Sequence, residues 1–137
     1  MNADRYPFPS SDCIVAAPKA NAVQEQSFAF ALETIALYKD LQSAREYVIS
    51  KQLLRSGTSI GAQVEEALAA ESRRDFLHKM NLALKEARET HYWLRLLHHS
   101  DLTTINVTSH LRHATDLINI LKSISKTTAE SLKRPNK

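Results

Sequence analysis

Residues 55–76 read RSGTSIGAQVEEALAAESRRDF and hold both glycines of the chain, Gly57 and Gly61. The stretch could be a phosphate-cradling loop, a carboxylate site, or a helix that another helix approaches closely. Periodicity decides among them. Ile49, Leu53, Gly57, Ile60, Val64 and Ala67 recur at helical steps of three or four residues, and the phase passes straight through SGTSIG. A turn at the glycines would make agreement of phase on its two sides an accident. Both glycines therefore belong inside one helix, despite a propensity cost of about 1 kcal/mol each relative to alanine, and close approach of a neighbouring backbone is the compensation. A phosphate loop needs GxxxxGK[ST] between a strand and a helix. Here Gly61 is followed by Ala62, with no strand before it.

Working outward, Ser43 with Glu46 three residues on reads as a capping box opening this helix. Upstream, a helix over about 24–41 carries two apolar stripes, Phe28, Leu32, Ile35 and Tyr38 on one side and Phe30, Leu37 and Leu41 on another. Two stripes imply more than one packing partner. Downstream, Ser72 and Asp75 mark the start of a third helix over about 73–98, roughly 39 Å long. Its main seam is Phe76, Met80, Ala83, Ala87, Leu94 and Leu97, while Leu82, Trp93 and Leu96 project away from it. SDLTTIN is a connection, with Thr104 or Asn106 capping a fourth helix that carries Val107, Leu111, Ala114, Ile118, Leu121 and Ile124. Residues 1–23 read as a loosely ordered arm, 24–132 as the helical domain and 133–137 as a basic tail. Four helices with short connections predict an all-α antiparallel, up-and-down four-helix bundle.

Composition agrees with that reading. The 137 residues suit one domain. No proline falls between Ala20 and Arg134. The single cysteine, Cys13, excludes an internal disulfide, and no apolar run is long enough to span a membrane, so a cytoplasmic setting is the simplest expectation. Net charge is +3, and all of it lies beyond residue 99: the first 99 residues balance twelve basic with twelve acidic side chains, and the rest carry six against three. Such mild basicity allows attraction to nucleic acid without demanding it.

Catalytic and metal patterns are poorly served. A ferritin-like centre needs two Glu-x-x-His pairs and two more glutamates; only Asp75 and His78 stand at that spacing, and Glu65 and Glu66 diverge by about 100° on their helix. We expect those two glutamates to meet solvent, a cap, or Lys51 and Arg55 nearby on the same helix. His91 and His98 could form a ligand pair, yet nothing completes the set. Ser56, Thr58 and Ser59 lie in a helix with no paired base, so their hydroxyls are expected to bond carbonyls one turn back. Neither metal nor cofactor is expected.

The segments SKQLLRSGTSIGA (50–62), VEEA (64–67), Asp75-Phe76, Met80, Lys85-Glu86-Ala87 and ETHYWLRLL (89–97) together resemble the bacterial 23S ribosomal-RNA intervening-sequence protein family, a likeness running from Phe28 to about Ser125. Gln63 departs from the family's usual asparagine, moving the amide outward by one methylene. The resemblance implies a left-handed bundle, a ring-shaped homopentamer and no established enzyme reaction. It also implies kinship with accessory proteins of diversity-generating retroelements, which bind nucleic acid and a reverse transcriptase.

Two surfaces follow for function. Arg74, Lys85, Arg88, Tyr92 and Arg95 share one sector of the third helix, where cations could meet phosphates and Tyr92 an unstacked base of RNA or DNA. Leu82, Trp93 and Leu96 are the expected oligomer interface of the implied pentamer. The sequence thus reads as a non-enzymatic, homo-oligomeric interaction protein that binds RNA or DNA. A protein-only scaffold offering a groove to a protein partner is the alternative, and a metal-binding bundle comes third.

Overall fold

A computed structural model describes residues 17–134. Four helices make up the fold: α1 (Ala17–Ser43), α2 (Ile49–Leu68), α3 (Arg73–His99) and α4 (Thr108–Leu132). Among the described residues there is no strand. Each helix packs on the next in sequence and α4 closes on α1, so the four stand at the corners of a square with α1 diagonal to α3. The connections at 44–48, 69–72 and 100–107 are short, as an up-and-down bundle requires. The core runs the length of the square, with Val23, Phe30, Leu37 and Leu41 of α1 meeting Leu53, Ile60 and Val64 of α2, Met80, Leu94 and Leu97 of α3, and Leu117, Leu121 and Ile124 of α4.

The glycine helix is continuous, and neither glycine has a positive φ. A Cβ added at Gly57 would fall 2.7 Å from the Thr34 methyl carbon of α1, and one at Gly61 would fall 3.3 Å from the Ser27 carbonyl oxygen. Thr34 cannot turn away freely, because its hydroxyl donates to the Phe30 carbonyl at 2.8 Å inside the core. The missing side chains thus set how near α1 and α2 stand.

Two helix starts differ from the sequence reading. The first helix begins at Ala17, so only residues 1–16 of the expected arm lie outside the described residues; Pro18 falls in the first turn, where its missing N–H costs no helical bond. The expected Ser43–Glu46 capping box does not form, because α1 continues through Ser43. The chain instead reverses on Arg45, held at φ 65°, with Glu46 N–H donating to the Leu41 carbonyl at 2.8 Å and Arg45 N–H to that of Gln42 at 3.0 Å. This is the Schellman closure usually given to glycine. Glu46 then caps α2 from outside it: its carboxylate accepts from the amides of Val48 (3.0 Å), Ile49 (3.1 Å) and Ser50 (2.5 Å). Negative charge at a helix N-terminus faces the positive end of its dipole. At α3 Ser72 is the expected cap and accepts the Asp75 amide at 3.0 Å; at α4 the cap position falls to Val107, which makes no side-chain capping bond, and Asn106 accepts the Thr108 amide at 2.9 Å from one residue before it. The tail residues Lys133 and Arg134 follow α4, and 135–137 lie outside the described residues.

Candidate nucleic-acid interface

Burial of one side of α3 dictates what the other side offers. With Phe76, Met80, Ala83, Ala87, Thr90, Leu94 and Leu97 turned into the core, Arg74, Lys85, Arg88, Tyr92 and Arg95 all face solvent. The 21 steps from Arg74 to Arg95 cover about 32 Å of helix axis. Among the described residues none of the four cations enters an ion pair. The helix has three acids, and none neutralises this face. Asp75 stands exposed in the first turn, its amide donating to the Ser72 hydroxyl and its carboxylate in no ion pair among the described residues, while Glu86 and Glu89 turn toward α2, where both take Arg55. Glu89 also accepts the Trp93 indole N–H at 2.9 Å, and that bond together with Arg55 holds its carboxyl below the usual range. Removing the carboxylates to one flank leaves the outer face purely basic.

Tyr92 is 50% exposed in the middle of this face, its ring set edge-on to Trp93 with centroids 5.2 Å apart. His91 borders it; burial, then the charge of Arg95, lowers its pKa and favours the neutral imidazole. His78, Asn81 and His99 extend the exposed polar surface.

The other residues singled out by sequence have local partners. Glu65 accepts from the Gln24 side chain of α1 at 3.1 Å, and Glu66 pairs with Lys79 of α3 at 3.2 Å. Of the alternatives expected for these glutamates, exposure to solvent holds, and their side-chain partners lie on other helices and not at Lys51 or Arg55. Thr58 and Ser59 donate back to the carbonyls of Leu54 and Arg55, each at 2.7 Å, and the hydroxyls of Ser56 and Thr90 meet at 2.8 Å between α2 and α3. Gln63 places its amide oxygen in a buried position with no hydrogen-bond partner among the described residues. No three histidine, cysteine or carboxylate side chains converge among the described residues in a way that could hold a metal ion.

Of the three expected interface residues, Trp93 is partly buried against the bundle core, its N–H donated to Glu89, while Leu82 and Leu96 stay half-buried at the surface. The larger exposed apolar face is on α1: Phe28 is 63% exposed, Leu32 54% and Ile35 38%. Its signal in the sequence is the second apolar stripe of that helix, which implies a packing partner beyond the core.

An antiparallel four-helix bundle with a bare basic helix edge is the class of protein these features define. Comparison with known proteins narrows it. The chain matches the 23S rRNA-intervening sequence protein family over residues 19–133 and belongs to that family. A solved structure similar to it is that of a protein of unknown function from the S23 ribosomal protein family of Bacteroides thetaiotaomicron: identity is 46%, the alignment covers 78% of this chain and 94% of that one, and the TM-score is 0.73. No match is found among curated proteins. No helix among the described residues is long and apolar enough to cross a membrane.

Proposed function

We propose that this chain is a non-enzymatic, self-associating cytoplasmic protein whose α3 edge binds the backbone of RNA or DNA. The observation that supports this reading most directly is the run of four unpaired cations on one acid-free helix face. Lys85, Arg88 and Arg95 contact phosphates, Arg74 extends the track and Tyr92 stacks on an unpaired base. Contacts of this kind position a polyanion without reading its sequence, so recognition rests on shape and charge. The family resemblance supports association of copies, with a five-membered ring as its implied form, and kinship with nucleic-acid-binding accessory proteins of retroelements.

Affinity for single- and double-stranded RNA and DNA, measured as a function of salt, tests the reading. Binding should weaken steeply as salt rises, and Lys85→Ala/Arg88→Ala/Arg95→Ala should lower the slope of log affinity against log salt by about 2 to 3. Equal affinity and slope in wild type and variant would reject this surface. A protein-only scaffold is the second reading, favoured by the exposed Phe28, Leu32 and Ile35; it predicts a stoichiometric protein partner and no salt-sensitive nucleic-acid binding.

A further inference from the structure

The cations of α3 are unevenly spaced. Eleven residues separate Arg74 from Lys85 and seven separate Arg88 from Arg95, about 17 Å and 11 Å of helix axis. A polyanion lying along α3 alone would pass both stretches without a countercharge. The whole net charge of +3 lies beyond residue 99, and three of the cations there, Arg112, Lys122 and Lys126, are exposed on α4 and enter no ion pair among the described residues.

Arg73 fixes the register between the two helices, its guanidinium donating to the Ser131 hydroxyl at 3.0 Å. Counted from that bond along antiparallel helices, Lys126 is level with His78, Lys122 with Leu82 and Arg112 with Tyr92. The first two fall between Arg74 and Lys85, and the third between Arg88 and Arg95. Taken over both helices, the cations succeed one another at steps of three or four residues, about 4.5–6 Å. Facing agrees with level. Arg88 and Arg95 lie within about 60° of Arg73 round α3, on its α4 flank, whereas Asp75 lies about 160° from Arg73 and Glu86 and Glu89 reach α2. On α4, His113 meets Glu33 of α1, and Asp116 lines the cleft between those two helices. Lys122 lies about 180° round the helix from His113, with Arg112 and Lys126 on the solvent side between them. Apart from Glu130, level with Arg74 at one end, the acids of α3 and α4 are turned from the face the two helices share.

We propose that α3 and α4 together form one two-row site for double-stranded nucleic acid, with Arg112, Lys122 and Lys126 as its second row. Packed helix axes stand about 8–10 Å apart, so the rows are offset sideways on the scale of a duplex groove, about 6 Å for the minor and 12 Å for the major groove of B-form DNA. A single strand has one line of phosphates and follows one row. Two strands bordering a groove supply phosphates to both. Tyr92 then takes an unpaired base where the stem is interrupted. The inference rests on the nucleic-acid reading above; it names the form of the ligand and the residues that complete its site.

The test, on the full chain, measures affinity against salt for a duplex of about 12 base pairs with one bulged base, long enough for the face at about 3.4 Å per pair, and for one of its strands alone. Lys122→Gln/Lys126→Gln should lower the duplex slope of log affinity against log salt by about 2 and weaken duplex binding on the order of tenfold or more, leaving the single strand within about twofold. Removing the same charge elsewhere, with Lys39→Gln/Lys51→Gln on α1 and α2, should leave both ligands unchanged. All four lysines are exposed, so helical circular dichroism should match the wild type throughout. The α4 row is overturned if Lys122→Gln/Lys126→Gln keeps the wild-type duplex slope while Lys85→Ala/Arg88→Ala/Arg95→Ala loses it, or if Lys39→Gln/Lys51→Gln costs as much. Equal losses on duplex and single strand overturn the double-stranded assignment. Wild-type binding by both the α3 and the α4 variants would remove the nucleic-acid reading itself.

Discussion

The outer edges of α1 and α3 occupy diagonal corners of one bundle and are built on opposite plans. Both helices are 27 residues long and bury one side in the same core. On α3 the solvent side carries cations, and the two glutamates that flank it are drawn off by Arg55 and Trp93. On α1 the solvent side carries Phe28, Leu32 and Ile35, with charge confined to its ends. A bundle that only had to stay folded would need neither plan, because mixed polar side chains on both edges keep it soluble. Water is a good solvent for the α3 edge and a poor one for the α1 edge, so the first suits a polyanion and the second an apolar mate.

Substitutions on the two sides of α1 should expose the contrast most sharply. Phe30→Ala, from the core side, should cost about 3–5 kcal/mol in denaturant unfolding, whereas Phe28→Ala should change the stability of the separated subunit by less than about 0.5 kcal/mol while weakening association. Comparable losses for the two, measured below the association threshold, would erase the distinction between the sides. Gly57→Ala comes next: with Thr34 fixed in its path, the added methyl should destabilise by about 1–3 kcal/mol, and Gly61→Ala should cost less, since its closest contact is longer. A reversed order would mean that α1 can slide on α2.

A smaller effect should follow pH at the α1–α4 seam. Burial lowers the pKa of His110 below the ordinary 6.5, partly offset by Glu33 and Asp40, with His113 adding to the lowering. The unfolded chain then binds the proton more readily than the folded one, so the contribution of this group is fully present above about pH 6.5 and is lost as pH falls toward the folded value. His110→Gln should flatten the fall in unfolding free energy between pH 7.5 and 5.5. His91, shifted the same way, should leave part of that fall in place. Identical pH profiles for variant and wild type would remove His110 from the account.

Sequence carried the architecture wherever a repeating pattern encoded it. The steps through Gly57 and Gly61 announced an unbroken helix, and Ser72 announced the start of α3, because both signals lie within a few residues of one another. The first helix boundary was hidden for the opposite reason. Arg45 adopts a left-handed conformation that residue type does not advertise, and Glu46 caps the following helix from a position that mimics the third residue of a capping box. The basic edge was legible because each cation belongs to one helix and its facing follows from that helix's core residues. The partners of Arg55 were not, since Glu86 and Glu89 lie more than thirty residues away and reach it only once α2 and α3 are packed. Trp93 shows the same limit: its helical angle points off the seam, and only the packed bundle reveals that its ring also lies against the core with its N–H donated to Glu89.

The diagonal relation of α1 to α3 has a mechanical corollary. A bundle gripped along one corner keeps the far corner clear, so a contact on α1 and a contact on α3 do not compete for space. The cations of α3 stay open to a polymer whatever covers Phe28, Leu32 and Ile35, and a polymer lying on α3 leaves those three side chains open in turn.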